Sequence, residues 1–281
     1  MVGGSTGAAT PGTLFLVSTP IGNMSDLSAR AVETLAAVSA VLAEDTRHSR
    51  PLLEKHGIST PLVAYHEHNE AKTTPALVAR LAAGESFALI SDAGTPLLSD
   101  PGARLVRAAI DAGIAVSPVP GASALLAALV ASGIVADRFT FFGFLARKGK
   151  ERAETVREIA ALTHTAVLYE APARVGETLA ALAAAGSGAR EAVVARELTK
   201  HFEEFRRGTV QSLAESYQEV APRGEVVLVI AGAETREPDE ATLRDRAHVL
   251  REQGLSARDV ARVLTEESHA PRNLAYRLAH E

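Results

Sequence analysis

Short apolar runs alternate with stretches of helical spacing through residues 13–136, and few folds satisfy that pattern. Strand-like runs fall at residues 13–18, 40–43, 61–65, 87–91 and 115–119. Between them, residues 29–38, 47–56, 74–83, 103–112 and 122–132 repeat apolar side chains at intervals of three and four, the period of a helix with one buried face. Strands separated by helices need crossover connections, so the pattern predicts a largely parallel sheet covered on both faces. Helix-start signals agree: Ser25-Asp26 and Ser28 precede the first helix and Pro101 opens the fourth.

A second unit starts near Asp137, with strand-like runs at 139–144, 166–169, 192–195, 203–207 and 225–231 and helices at 152–162 and 174–185. The last run is almost wholly apolar, which predicts a centrally buried strand; its period does not fix whether its neighbours run parallel, and a mixed sheet is expected. Residues 238–281 carry no strand signal and divide into helices at 240–252, 257–267 and 271–280, with Gly254 and Ser256 at the first break. The expected organisation is therefore α/β: a disordered lead-in over 1–12, α/β domains over 13–136 and 137–233, and a helical appendage over 238–281.

Composition narrows the chemistry. With no cysteine, disulfides, thiolate zinc sites and a cysteine nucleophile are excluded, which suits a reducing cytoplasm. No uncharged apolar run approaches the ~18 residues of a membrane span, and residues 1–12 lack the basic start of a signal peptide. The net charge of −5 means that any phosphate-binding surface must be local. Between Arg138 and Arg157, Arg138, Arg147, Lys148, Lys150, Arg152 and Arg157 face only Glu151 and Glu154. Arg147, Lys148, Lys150 and Arg152 form its centre, readable as a phosphate-binding lip or as a solvated loop and helix start.

Polar, Gly- and Pro-rich loops follow the strands of the first unit, the edge where open α/β sheets bind ligands. Pro20 and Gly22 give a rigid turn after the first strand, and no G-x-G-x-x-G dinucleotide fingerprint accompanies it. The run Ser91, Asp92, Ala93, Gly94, Thr95 leads to Asp100, with more acidic and turn residues than a connection requires. Pro120, Gly121, Ala122 and Ser123 end the fifth strand, and Ser123 has the chemistry of a helix cap as well as of a pocket wall. Asp45 and His48, in the run Glu44 to Ser49, suit acid–base chemistry, an internal ion pair or a helix cap. His66 and His68 would share a face on an extended chain, as metal ligands do, but no third ligand is evident, and no metal is expected.

These loops together resemble the 16S rRNA (cytidine-2′-O)-methyltransferases of the tetrapyrrole methylase superfamily. The similarity is carried by residues 16–23, Ala43-Glu44-Asp45-Thr46-Arg47, His66-Glu67-His68-Asn69-Glu70, and Ser91 to Pro96 with Ser99-Asp100-Pro101-Gly102. It continues through Gly143-Phe144-Leu145, Tyr169-Glu170, residues 195–200 and residues 224–228, and loosely into the tail at residues 273–276. Ala146, where proline is common, and Ala122-Ser123 depart from the pattern in loop rigidity. The resemblance implies two α/β domains of the tetrapyrrole methylase type with S-adenosylmethionine in the cleft between them, in a homodimer. It implies that Pro20, Gly22, Ser91 to Thr95 and Pro120 to Ser123 line the donor pocket, closed by Tyr169, Glu170, Leu198 and Gly224. The implied substrate is 16S rRNA, within the small ribosomal subunit.

Methyl transfer from a sulfonium is an in-line displacement dominated by positioning. A ribose hydroxyl is a poor nucleophile until its proton leaves, so Asp45, His48, Asp100, and Glu197 beside Lys200 are candidates to assist. Two other readings stay open on the sequence: methylation of a tetrapyrrole carbon, and nucleic-acid binding without catalysis through the helical tail.

Overall fold

The computed structural model describes residues 10–234, 239–267 and 270–281. The lead-in expected over 1–12 lies mostly outside them, as do residues 235–238 at the start of the tail. Contacts divide the chain into one unit ending at Gly232 and another from Ala233 to Glu281.

The first sheet is built from β1 (Thr13–Val17), α1 (Ala29–Ala37), β2 (Ala40–Ala43), α2 (Thr46–Lys55), β3 (Leu62–Ala64), α3 (Glu70–Ala82), β4 (Phe87–Ile90), α4 (Ala103–Asp111), β5 (Ala115–Val119) and α5 (Ala124–Ser132). Its order is β3-β2-β4-β1-β5, and every pairing is parallel. Alternate strand residues feed two cores, as a period of two requires. Val17, Val41, Ala88 and Ile90 pack with Leu35 of α1 and Leu52 of α2. Leu14, Leu42, Phe87 and Leu89 pack with Leu81 of α3 and Leu105 of α4.

The second sheet comprises β6 (Phe139–Phe144), α6 (Lys150–Ala161), β7 (Thr165–Glu170), α7 (Val175–Leu182), β8 (Glu191–Arg196), β9 (Glu204–Thr209), α8 (Val210–Ser216) and β10 (Val226–Ile230). It is mixed, in the order β6-β7-β10-β8-β9, with the fully buried β10 at its centre as expected. One face carries α6, α7 and α8. The other packs through Val167, Val193, Val227 and Val229 on Leu125, Ala128 and Leu129 of α5. That placement buries Leu125, Ala128 and Leu129 of α5, while Leu126 and Val130 on the same helix stay exposed.

Some elements differ from the sequence expectation for local reasons. α3 begins at Glu70 and runs across Pro75; a proline in the interior removes one backbone bond without ending the helix here, while Thr73 and Thr74 donate to the carbonyls of Asn69 and Glu70. Residues 67–69 form a turn, so His66 and His68 do not lie along an extended chain. Asn69 Oδ1 accepts from the His66 amide at 2.9 Å, and the two histidine rings meet edge-on at 6.0 Å. α8 was not anticipated; its capping box pairs Thr209 with Ser212 rather than with the usual Glu or Gln.

The unit from Ala233 contains α9 (Glu240–Glu252), α10 (Ala257–Glu267) and α11 (Arg272–His280) around Leu243, Leu250, Val260, Leu264 and Leu278. Among the described residues no helix is long and apolar enough to cross a membrane.

Candidate functional site

The loops after β1, β4 and β5 are stitched together by polar groups. Thr19 and Gly94 exchange backbone hydrogen bonds of 2.9 and 3.1 Å. Thr19 Oγ1 donates to the Ser91 carbonyl at 3.2 Å. Ser18 and Thr95 hydroxyls lie 3.2 Å apart, and Thr95 donates on to the Ala122 carbonyl at 3.1 Å. Because β1 lies between β4 and β5, these loops open into a crevice at the carboxyl edge, where the strand order reverses.

The opposite wall comes from the second sheet. A bulge in β6 between Phe141 and Phe144, with Gly143 at φ +60°, swings Phe144 toward Tyr169, with ring centroids 5.6 Å apart. Gly224 sits at φ +82°, and a Cβ there would stand 1.9 Å from Glu197 Oε1. Lys200 bridges Glu197 at 3.0 Å and Glu225 at 2.9 Å. Burial alone would pull the Lys200 ammonium down, but the hydrogen bonds to Glu225 and Glu197 outweigh it and hold it raised, while Lys200 holds the Glu197 carboxyl low. Among the described residues, the four non-glycine residues with positive φ are Leu97, Ser99, Glu197 and Thr199. They fall in two facing loops, each pair flanking a leucine (Leu98, Leu198) that packs in the same core. Such backbone costs roughly 1–3 kcal/mol per residue and persists only where surrounding structure enforces it.

Two adjoining cavities result. The larger, about 410 Å³, is lined by Asp92, Gly94, Thr95, Asp100, Phe144, Tyr169, Leu198 and Gly224 among others. Its ionisable lining includes Glu44, Asp92, Asp100, Glu170 and Glu225 and no Lys or Arg. Burial, with Glu44 and Asp92 nearby, pushes Asp100 up to about 6 against a hydrogen bond with Ser91. Burial also raises Glu44, with Asp92 adding to the rise, and raises Tyr169. The smaller cavity, about 220 Å³, is lined by Pro20, Gly22, His48, Ser49, Ser91 and Lys200 and shares Ile21, Asp92, Ala93 and Glu225 with the first.

The anticipated residues thus separate. Asp92 to Thr95, Asp100, Tyr169, Glu170, Leu198 and Gly224 meet in the larger cavity, and Pro20, Gly22, Ser91, His48 and Lys200 in the smaller. Pro120, Gly121, Ala122 and Ser123 line neither. Gly121 is drawn against Ser18, where a Cβ would sit at 3.0 Å, and Ala122 holds Thr95 from behind. Ser123 makes no cap hydrogen bond to α5, and its hydroxyl is buried without a partner. Asp45 caps α2, accepting from the Arg47 amide at 2.8 Å, and pairs with the Arg47 guanidinium at 3.0 Å. Those hydrogen bonds hold its carboxyl down at about 2, far from the range of a base at neutral pH. Glu44, Phe144, Ser49 and Glu225 are wall residues that stand within the conspicuous runs of the sequence but not among its candidate site residues. Glu44 and Ser49 stand in the same run as Asp45, and Phe144 beside the conspicuous Gly143.

The basic stretch also divides. Arg147 and Lys148 are exposed, and Lys150 reaches Glu154 at 3.4 Å from a side chain open to water. Arg152, expected in that lip, is only 7% exposed; it donates to Thr178 at 3.0 Å and pairs with Glu177 at 3.2 Å, so it is packed into the fold and not presented to solvent. Thr178 in turn donates to Glu170 Oε2 at 2.6 Å. Arg174 lies 3.4 Å from Glu170 and donates to the carbonyls of Leu145 and Ala146 at 2.9 and 3.1 Å. The loop bearing Arg147 and Lys148 is thereby tied to a carboxylate in the cavity wall.

Residues 13–214 match the family model of the tetrapyrrole (corrin/porphyrin) methylases. Over 273 residues the chain is 46% identical to ribosomal RNA small subunit methyltransferase I of Synechocystis sp., covering 96% of this chain and 98% of that protein. It is 41% identical to the protein of the same name from Bacillus subtilis over 281 residues, 98% and 96% of the two chains. The fold is similar to that of uroporphyrin-III C-methyltransferase from Thermus thermophilus in complex with S-adenosyl homocysteine, with a TM-score of 0.57 and 20% identity over 78% of this chain and 97% of that one.

Proposed function

The chain belongs to the tetrapyrrole (corrin/porphyrin) methylase family and to its ribosomal RNA small subunit methyltransferase I branch, and from that premise we propose that it methylates a cytidine 2′-hydroxyl of 16S rRNA from S-adenosylmethionine. The observation that carries the donor assignment is the larger cavity, whose ionisable lining is acidic. Carboxylates in a partly desolvated wall attract a cation, and the donor carries a net positive charge, its sulfonium and ammonium outweighing its one carboxylate. A polyanionic macrocycle would meet repulsion from the same groups. The fit extends to the walls: Tyr169 and Phe144 offer aromatic faces, Gly224 and Gly94 admit backbone approach, and the unpartnered Ser123 hydroxyl lies directly before Ala124 of the wall.

S-adenosylmethionine bound there supplies an electrophilic methyl group on sulfur. Gly94 and Thr95 from the first sheet and Leu198 and Gly224 from the second hold and orient it. Asp100 accepts the proton of the ribose hydroxyl at its carboxylate; with a pKa of about 6 it is ionised at neutral pH yet more basic than an ordinary aspartate. Glu197 is committed to Lys200 and Asp45 to its helix cap, which leaves both poorly suited to that step.

Arg147 and Lys148 serve as the phosphate lip, three and four residues beyond the cavity residue Phe144. Replacing both with alanine lowers rRNA methylation and flattens its salt dependence by roughly one unit of log–log slope per lost contact. Donor affinity in calorimetry stays unchanged; an equal loss there would remove the lip assignment. The enzyme works in the cytoplasm as a homodimer. Leu126 and Val130, 51% and 75% exposed and four residues apart on α5, support a self-associating face, which sedimentation of the Val130→Glu variant tests.

The deciding experiment is transfer of radiolabelled methyl to unmodified small ribosomal subunits, free 16S rRNA and a precorrin-type tetrapyrrole, with products mapped by mass spectrometry. A 2′-O-methylcytidine is the expected product. Label on the tetrapyrrole alone would keep the donor pocket and overturn the rRNA reading.

A further inference from the structure

We propose that the smaller cavity is the acceptor subsite and takes a single nucleoside turned out of an RNA strand, with the Ser49 hydroxyl as its buried polar contact. The proposal rests on the rRNA reading and deepens it. Three observations carry it.

First, the cavity shares Ile21, Asp92, Ala93 and Glu225 with the donor cavity, so the two lie side by side. Asp100 lines the larger cavity together with Asp92 and Ala93, which both cavities share. Second, its volume of about 220 Å³ lies below the ~300–1,000 Å³ typical of drug-sized ligands. That space suits a ring and a sugar, and enzymes that modify a nucleotide commonly draw it out of the strand into a snug pocket. A macrocycle of four pyrroles has no room there. Third, Ser49 is 3% exposed, lines the cavity, and its Oγ has no hydrogen-bond partner among the described residues. An unpaired buried hydroxyl carries a desolvation cost that a stability role would not require. A ligand oxygen or nitrogen in the cavity removes the cost. Lys200, anchored by Glu197 and Glu225, also lines the cavity.

The test uses the full chain with Ser49→Ala and Ser49→Val. Valine places an apolar branch in the cavity and removes no protein hydrogen bond, so the melting temperature should hold or rise. S-adenosylmethionine affinity should stay within twofold in calorimetry. Methylation of small subunits should fall about threefold in kcat/KM for alanine and at least tenfold for valine. Saturation-transfer NMR with cytidine 5′-monophosphate, in the presence of S-adenosylhomocysteine, should show contact in the parent chain and lose it in Ser49→Val. Parent-level methylation by Ser49→Val, or a matching loss of donor affinity, overturns the subsite. A parent chain that methylates no rRNA yet shows Ser49-dependent nucleotide contact sinks the rRNA reading and keeps the subsite. Neither signal sinks both.

Discussion

Gly224 tolerates no side chain. A methyl group there would drive into Glu197 and disturb the Glu197–Lys200–Glu225 chain on one cavity rim, besides straining a backbone at φ +82°. Gly224→Ala should cost about 1–3 kcal/mol in urea unfolding and weaken donor binding more than tenfold in calorimetry. Asp100 makes a different prediction. Its carboxyl is raised by burial and by Glu44 and Asp92, so the rate limb attributable to it should rise with pH through about 6 and vanish in Asp100→Asn. The sign for stability is opposite to that of an ion-paired aspartate. The folded chain holds the proton more tightly than the unfolded one, so this group favours folding increasingly as pH falls from about 6 toward 4. Asp100→Asn should therefore stabilise the chain more at pH 8 than at pH 5. That Asp100 lines the larger cavity was legible from its place between two Gly/Pro turns. The Ser49 role was not, because serine in the first turn of a helix is ordinary and only packing reveals that its hydroxyl lacks a partner.

Arg174 sits just before α7 and joins three pieces: the wall carboxylate Glu170, and the carbonyls of Leu145 and Ala146 that carry the basic loop. Arg174→Ala leaves Glu170, with a fully buried side chain, without its cation, and should destabilise the chain by about 3–5 kcal/mol. Arg174→Lys keeps the charge without the fork, and should raise the KM for ribosomal subunits with little change in donor affinity. Periodicity revealed most of the helices and strands because burial imposes it. It misplaced the start of α3, where Pro75 looks like a first residue but is crossed. It missed α8, whose cap uses Ser212 in place of an acidic residue. It could not tell that Arg152 turns inward: a run of cations announces charge, while only the Thr178 and Glu177 partners announce direction.

All residues of both cavities precede Gly232, and the tail has an apolar core of its own. A chain ending at Gly232 should fold and bind the donor within about threefold of the full chain, as read by calorimetry; loss of binding would give the tail a part in the donor site. The parallel first sheet was legible because strands alternate with helices of one buried face, and the fully buried β10 was recognisable as central, while the strand directions of the second sheet left no mark in its apolar period. The division of the site into two cavities was not, because Asp92, Ala93 and Glu225 belong to both and no spacing rule reports a shared wall.

The seating of α5 bears on how the molecule is made. The helix is complete at Ser132, but its partners on β7, β8 and β10 are not all present until Ile230. Synthesis at roughly 5–20 residues per second puts the wait near 5–20 s. Until β10 emerges Leu125 and Leu129 lack the central strand they pack on, and a nascent chain in this state should engage a hydrophobic holdase on the ribosome. Chains stalled after β6 should crosslink to one through positions on α5, and chains in which β10 has emerged should not.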